Sequence, residues 1–184
     1  MILLFSYIQT WFIQGLLHPV LTPSHIVLLV SLGLIIGQQG IKLAYIASII
    51  VSIALGMFLK DRLDINVNIE LILLVLALIV SLLTVLKLRL PRLFILFFII
   101  SSSLIIAYDS DPIVIPGAGT NSINNWLLGA LMSILATVAI VTLIATFLRR
   151  FWDGVILRVI GSWIATSAIF ILALSLTTLT KGLG

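Results

Sequence analysis

The chain contains no cysteine. That excludes disulfides, thiolate metal sites, palmitoylation and thiol redox chemistry in one step. Charge is scarce too, at 9% of residues against 62% apolar. A mean hydropathy of +1.37 excludes a soluble domain. No hydrophilic stretch is long enough to fold separately, so residues 1–184 read as a single integral membrane domain. There is no phosphate-cradling glycine loop and no long basic helix. Ser24 beside His25 is not a nucleophile–base pair, because adjacent helical residues do not face each other. Two histidines confined to one short segment cannot clamp a haem between helices. No enzyme, no nucleic-acid partner and no permanently bound cofactor are therefore expected. The net charge of +4 sits in short loops between apolar runs, where it orients a membrane protein.

What remains is membrane helix. The expected fold is all-α: a polytopic transmembrane helix bundle of about six spans, plus an N-terminal interfacial or short seventh helix. The spans fall at roughly 24–39, 42–59, 69–86, 93–108, 124–147 and 156–178, using a ~20-residue criterion and accepting short ones. Residues 1–17 are apolar but lack a basic leader and a small-x-small cleavage site, so they do not read as an ordinary signal peptide. They are expected to lie in the interface, with Tyr7, Trp11 and Phe12 at headgroup level. Gln38-Gln39-Gly40 and Lys60-Asp61-Arg62 open breaks between spans. Pro91 fits a first helical turn, and Pro112, Pro116, Gly117 and Gly119 make the longest loop. Gly33 and Gly37 form a small-xxx-small pair that admits another backbone. Ser101, Ser102 and Ser103 put three hydroxyls inside one span, for helix–helix bonding or a polar path.

Orientation follows from the basic residues. Lys42, Lys87, Arg89, Arg92, Arg149, Arg150 and Arg158 share one side, against Lys60, Arg62 and Lys181 on the other. The positive-inside rule puts the larger group in the cytoplasm. His18, His25, Asp61, Asp64, Glu70, Asp109 and Asp111 are then on the non-cytoplasmic side. Asp153 is inside, beside Arg149 and Arg150, and is expected to pair with them.

Charge and imidazole near a bilayer are costly and usually mark a pathway, a ligand or a partner. The segment His18-Pro19-Val20-Leu21-Thr22-Pro23-Ser24-His25 therefore stands out. Thr22 is a good N-cap and Pro23 a good first helical residue, so His25 belongs in the first turn of a span. The positive end of a helix favours the neutral ring, which is the metal-binding form. His18 is expected outside the helix, folded back across a tight turn. Asp109-Ser110-Asp111-Pro112 closes a later span on the same side. Asp109 then sits at a helix C-terminus, where an anion needs a cation, a donor or water. Two imidazoles and one or two carboxylates suit Ni²⁺, Co²⁺ or Zn²⁺, whereas all-oxygen sites favour Mg²⁺ or Ca²⁺. The spans at 24–39 and 93–108 are the shortest, so His25 and Asp109 are expected on the floor of an outward funnel, with His18, His25, Asp109 and Asp111 as the candidate metal ligands.

These residues also carry a resemblance. Gly15-Leu16-Leu17-His18-Pro19, then Thr22-Pro23-Ser24-His25, then Gly37-Gln38-Gln39-Gly40, resemble the opening of the HupE/UreJ family of small membrane proteins. The Asp109-Ser110-Asp111-Pro112 turn is similar to that of its second, UreJ-like subgroup. The resemblance implies nickel or cobalt uptake without an ATPase, in a bacterial inner membrane or an equivalent energised one. His18 and His25 carry over directly. The chain departs from the better-studied branch in having Ser24 where that branch has Asp before the histidine, and in having no histidine after His25. The competing expectation is a structural subunit of a larger membrane complex, bound to other membrane subunits and to no ion.

Overall fold

The computed structural model describes residues 2–60, 62, 67–110, 120–151 and 154–182, with side chains over 10–60, 62, 67–110, 121–151 and 154–177. The expectations for Asp61, Asp64, Asp111, Asp153 and the loop prolines fall outside these described residues, and that for Tyr7 outside the described side chains. The elements are α1 (Ile2–Leu21), α2 (Pro23–Gln39), α3 (Leu43–Lys60), α4 (Ile69–Val85), α5 (Arg92–Asp109), α6 (Thr120–Leu148) and α7 (Val155–Gly182). All are helices, and no strand occurs among the described residues. The all-α bundle follows from composition: in lipid, a helix satisfies every backbone group within its own segment.

Helices α3, α5, α6 and α7 are each long and apolar enough to cross a membrane. Helix α4 is apolar and slightly shorter, at 17 residues. Helices α1 and α2 meet at a 73° bend and together have the length and apolarity of one broken span. Each break is set by local chemistry. Gly40, at φ 95°, takes a positive-φ conformation open to glycine and ends α2, its N–H returning to the Ile36 carbonyl. Asn68 caps α4 by accepting from the Leu71 N–H. Pro91 stands at the N-cap of α5, one residue earlier than the first-turn placement expected.

Helix α2 lies at the centre. None of its large apolar side chains is exposed, whereas every other helix keeps several on its outer face. It packs on α4, α6 and α7, while α1 lies along α6, α3 along α5 and α4 along α7. Gly33 and Gly37 make the α2–α6 approach as the sequence suggests. A Cβ on Gly37 would stand 2.8 Å from the Thr142 carbonyl oxygen, and one on Gly33 would press on Val141. Leu28, Leu29 and Leu32 of α2, Tyr45 and Ile53 of α3, Leu73 of α4 and Ile99 and Ile106 of α5 form the main core.

One expectation about the first helix changes, and one about the lengths of the spans. Trp11 is buried against Trp126 and Ala130 of α6. Its ring is turned into the protein and not outward, because α1 lays one face along α6. The relative lengths of the spans also change. Helix α5 has 18 residues, as many as α3, so it is not one of the shortest.

The two ends of the bundle differ in chemistry. At one end Arg149 Nη1 donates to the Gln38 carbonyl at 3.0 Å, and Arg158 Nε to the Val85 carbonyl at 2.9 Å. These cations bind the carbonyls that helix C-termini leave without intrahelical donors. Gln38 and Gln39 tie α2 to the α4–α5 turn through the Thr84 and Leu88 carbonyls. The opposite end carries His18, His25, Lys60, Glu70 and Asp109. There Ser175 donates to Glu70 at 3.2 Å, joining the start of α4 to α7.

Candidate functional site at the break between the first two helices

The break is built from two prolines and a threonine. Helix α1 runs through Pro19 to Leu21, so His18 is inside its last turn. The sequence expectation put His18 outside the helix. It stays inside because Pro19 removes only its own N–H, and the His18 carbonyl finds donors further on. Thr22 supplies both, its N–H at 3.0 Å and its hydroxyl at 2.8 Å. Thr22 is the N-cap of α2 at φ −82° and ψ 114°, with Pro23 following in the first turn. Its hydroxyl closes α1 and makes no cap bond to α2. One residue thus ends one helix and starts the next at a steep angle.

That angle brings the two histidines together. The His18 and His25 ring centres are 5.5 Å apart, edge to face at 68°. Trp126 of α6 meets His18 edge to face, the ring centres 5.1 Å apart. No signal in the sequence marks Trp126 as part of this group; it is more than a hundred residues away and reads as an ordinary interfacial aromatic.

His25 is entirely buried, and its Nε2 lies 2.8 Å from Asp109 Oδ2. The Asp109 side chain is 30% exposed. The pair joins the first turn of α2 to the last residue of α5. An imidazole N–H facing a carboxylate supplies the donor that an aspartate needs at a helix C-terminus. Lys60, at the end of α3, binds the next residue, its Nζ donating to the Ser110 carbonyl at 2.9 Å. The Ser110 hydroxyl returns to the Ile106 carbonyl. The end of α5 is thus tied to α2 through Asp109 and to α3 through the Ser110 carbonyl.

A carboxylate facing Nε2 accepts, so in the neutral ring the proton is on Nε2 and the lone pair on Nδ1. That nitrogen is buried with no hydrogen-bond partner among the described residues. A ring nitrogen left without a partner in a dry site costs about 1–3 kcal/mol. Histidines that bind metals show the same arrangement, one nitrogen fixed by a carboxylate and the other turned to the ion.

Of the four sequence-predicted ligands, His18, His25 and Asp109 gather at the break, and Asp111 lies outside the described residues. No group of three His, Cys, Asp or Glu side chains close enough to hold a metal ion occurs among the described residues. Asp109 faces His25 Nε2, so it orients the ring instead of offering its oxygen to a shared ligand. The serine triplet splits: Ser102 and Ser103 are buried and Ser101 is half-buried. The Ser102 hydroxyl has no partner among the described residues. It lies two turns below Asp109 on the same helix face, ~10 Å deeper at 1.5 Å per residue.

No family model, no curated protein and no solved structure matches this chain.

Proposed function

We propose that the chain is a small membrane permease, or the accessory protein of one, for a divalent transition metal, nickel or cobalt. The observation that carries this reading is the buried His25 ring, fixed by Asp109 through Nε2 while Nδ1 stands unpartnered beside the break. His18 and His25 take the ion, and Asp109 sets the tautomer and orientation of His25. One ion held ~2.1 Å from a nitrogen of each ring brings the ring centres to about 5 Å. The observed 5.5 Å is close to that. Imidazole donors suit nickel and related ions, and the resemblance to the HupE/UreJ family narrows the cargo to nickel or cobalt. Ion sites in many transporters lie at interrupted helices, where backbone and side chains are released from helical pairing. The α1–α2 break has that form. The Ser102 hydroxyl, without a partner among the described residues, lies further inward on α5. Loaded from the non-cytoplasmic side, a divalent ion gains ~2.3 kcal/mol per charge for each 100 mV of membrane potential.

Vesicles reconstituted with the full chain test this reading. Nickel entry, followed by quenching of an entrapped chelating dye, is expected to exceed that of empty vesicles and to grow with an interior-negative potential. Entry equal to that of empty vesicles contradicts the permease reading. It leaves the structural subunit as the account of the apolar surface.

A further inference from the structure

A second feature lies at the basic end, away from the histidines. Helices α3 and α6 diverge there, and a cavity of about 290 Å³ opens between them, floored by Ile36 of α2. Its rim residues Ile41, Ile46 and Leu143 are exposed, so it faces the bundle exterior, where lipid lies. The wall is apolar apart from Tyr45 and Thr142. Both are at least nine-tenths buried, at 1% and 6% exposure. Neither the Tyr45 hydroxyl nor the Thr142 hydroxyl has a hydrogen-bond partner among the described residues. Buried hydroxyls are rarely left unpaired, so two of them in one apolar groove call for an acceptor from outside the chain. The mouth is cationic. Lys42 stands over the Tyr45 ring at 5.7 Å, whereas Arg149 donates to the Gln38 carbonyl and lines a separate pocket with Lys87 and Arg89. The two described carboxylates are engaged elsewhere, Asp109 with His25 and Glu70 with Ser175.

We propose that this groove seats an anionic phospholipid. One acyl chain lies between α3 and α6, along the ~12 Å that separates Leu135 from Leu143 in a helix. A glycerol ester carbonyl accepts from Tyr45 and Thr142. It brings an acceptor and no donor, which is what two orphan hydroxyls require. The phosphate rests at Lys42, as headgroups do at basic residues near helix ends. Charge, ester and chain follow one another along the groove in the order of a phospholipid.

Native mass spectrometry of the full chain in mild detergent tests the assignment, with dioleoyl phosphatidylglycerol, dioleoyl phosphatidylcholine and glycerol phosphate as probes. One phosphatidylglycerol per chain is expected, bound several-fold more tightly than phosphatidylcholine, which has the same chains and esters. Tyr45→Phe with Thr142→Val should weaken it about tenfold, the loss expected for two net hydrogen bonds. Lys42→Gln, at an exposed site, should remove the preference between the two lipids. Ala139→Phe fills the groove from its exposed side and should abolish binding. Equal binding of both lipids, insensitive to all these changes, overturns the proposal. Glycerol phosphate binding as tightly as the lipid overturns it in favour of a free-phosphate site. A dimeric species lost in Ala139→Phe overturns it in favour of a second copy of the chain.

Discussion

His25→Ala is expected to abolish nickel binding by the purified chain, and Asp109→Ala to weaken it roughly ten- to a hundredfold. Both effects are large for the same reason. His25 has its Nε2 held by Asp109 and its buried Nδ1 without a hydrogen-bond partner among the described residues. Removing the ring removes the ligand. Removing Asp109 leaves the ligand but frees its orientation and tautomer. The second change also strands a fully buried ring with neither nitrogen paired, at a cost of about 1–3 kcal/mol. Asp109→Asn separates the two contributions. The amide keeps a hydrogen bond to Nε2, so stability is largely retained while the charge beside the ring is lost. Isothermal titration with nickel and thermal unfolding of the four proteins read both quantities. If Asp109→Ala binds nickel as tightly as wild type, the carboxylate has only a structural part.

Gly129→Val is expected to lower the unfolding temperature in detergent by roughly 10 °C, the upper range for overpacking in a chain of this size. A Cβ on Gly129 would overlap the Phe12 carbonyl, and a Cβ on Gly15 would overlap the Trp126 carbonyl. Each glycine of the α1–α6 seam thus rests on the backbone of the opposite helix. Backbone cannot swing aside as a side chain does, so α1 must move away. His18 lies one turn beyond Gly15, and Trp126 one turn before Gly129. Displacing α1 therefore also draws His18 off Trp126 and away from His25. A Gly129→Val chain that survives purification should bind nickel more weakly as well. Unfolding at the wild-type temperature would show that the seam is looser than described.

Much of the architecture was legible because membrane helices are long and their breaks are chemical. Thr22-Pro23 announced the start of α2, and Gly40 announced its end. His25 in a first turn and Asp109 at a last turn followed from those signals. What the sequence could not supply was distance. Two residues assigned to one side of a membrane can still be a bundle's width apart, and only the central position of α2 brings His25 onto Asp109. The role of Asp109 was also hidden, since a carboxylate near an imidazole can orient it or share its ligand. His18 was misread because proline suggests a helix end. Here the Thr22 N–H and hydroxyl satisfy the carbonyl behind it, and the helix continues. Trp126 and Lys60 joined the site through helix packing, which local pattern does not encode. The groove between α3 and α6 was invisible for the same reason, because Tyr45 and Thr142 each look ordinary within their own helices.

The most direct measurement is X-ray absorption at the nickel edge on the metal-loaded full chain, beside a His18→Ala, His25→Ala double variant. The predicted wild-type spectrum shows the outer-shell scattering of two imidazoles, absent from the variant. Nickel retained equally by both proteins, with no imidazole signature in either, would contradict the assignment of the helix break as a metal site.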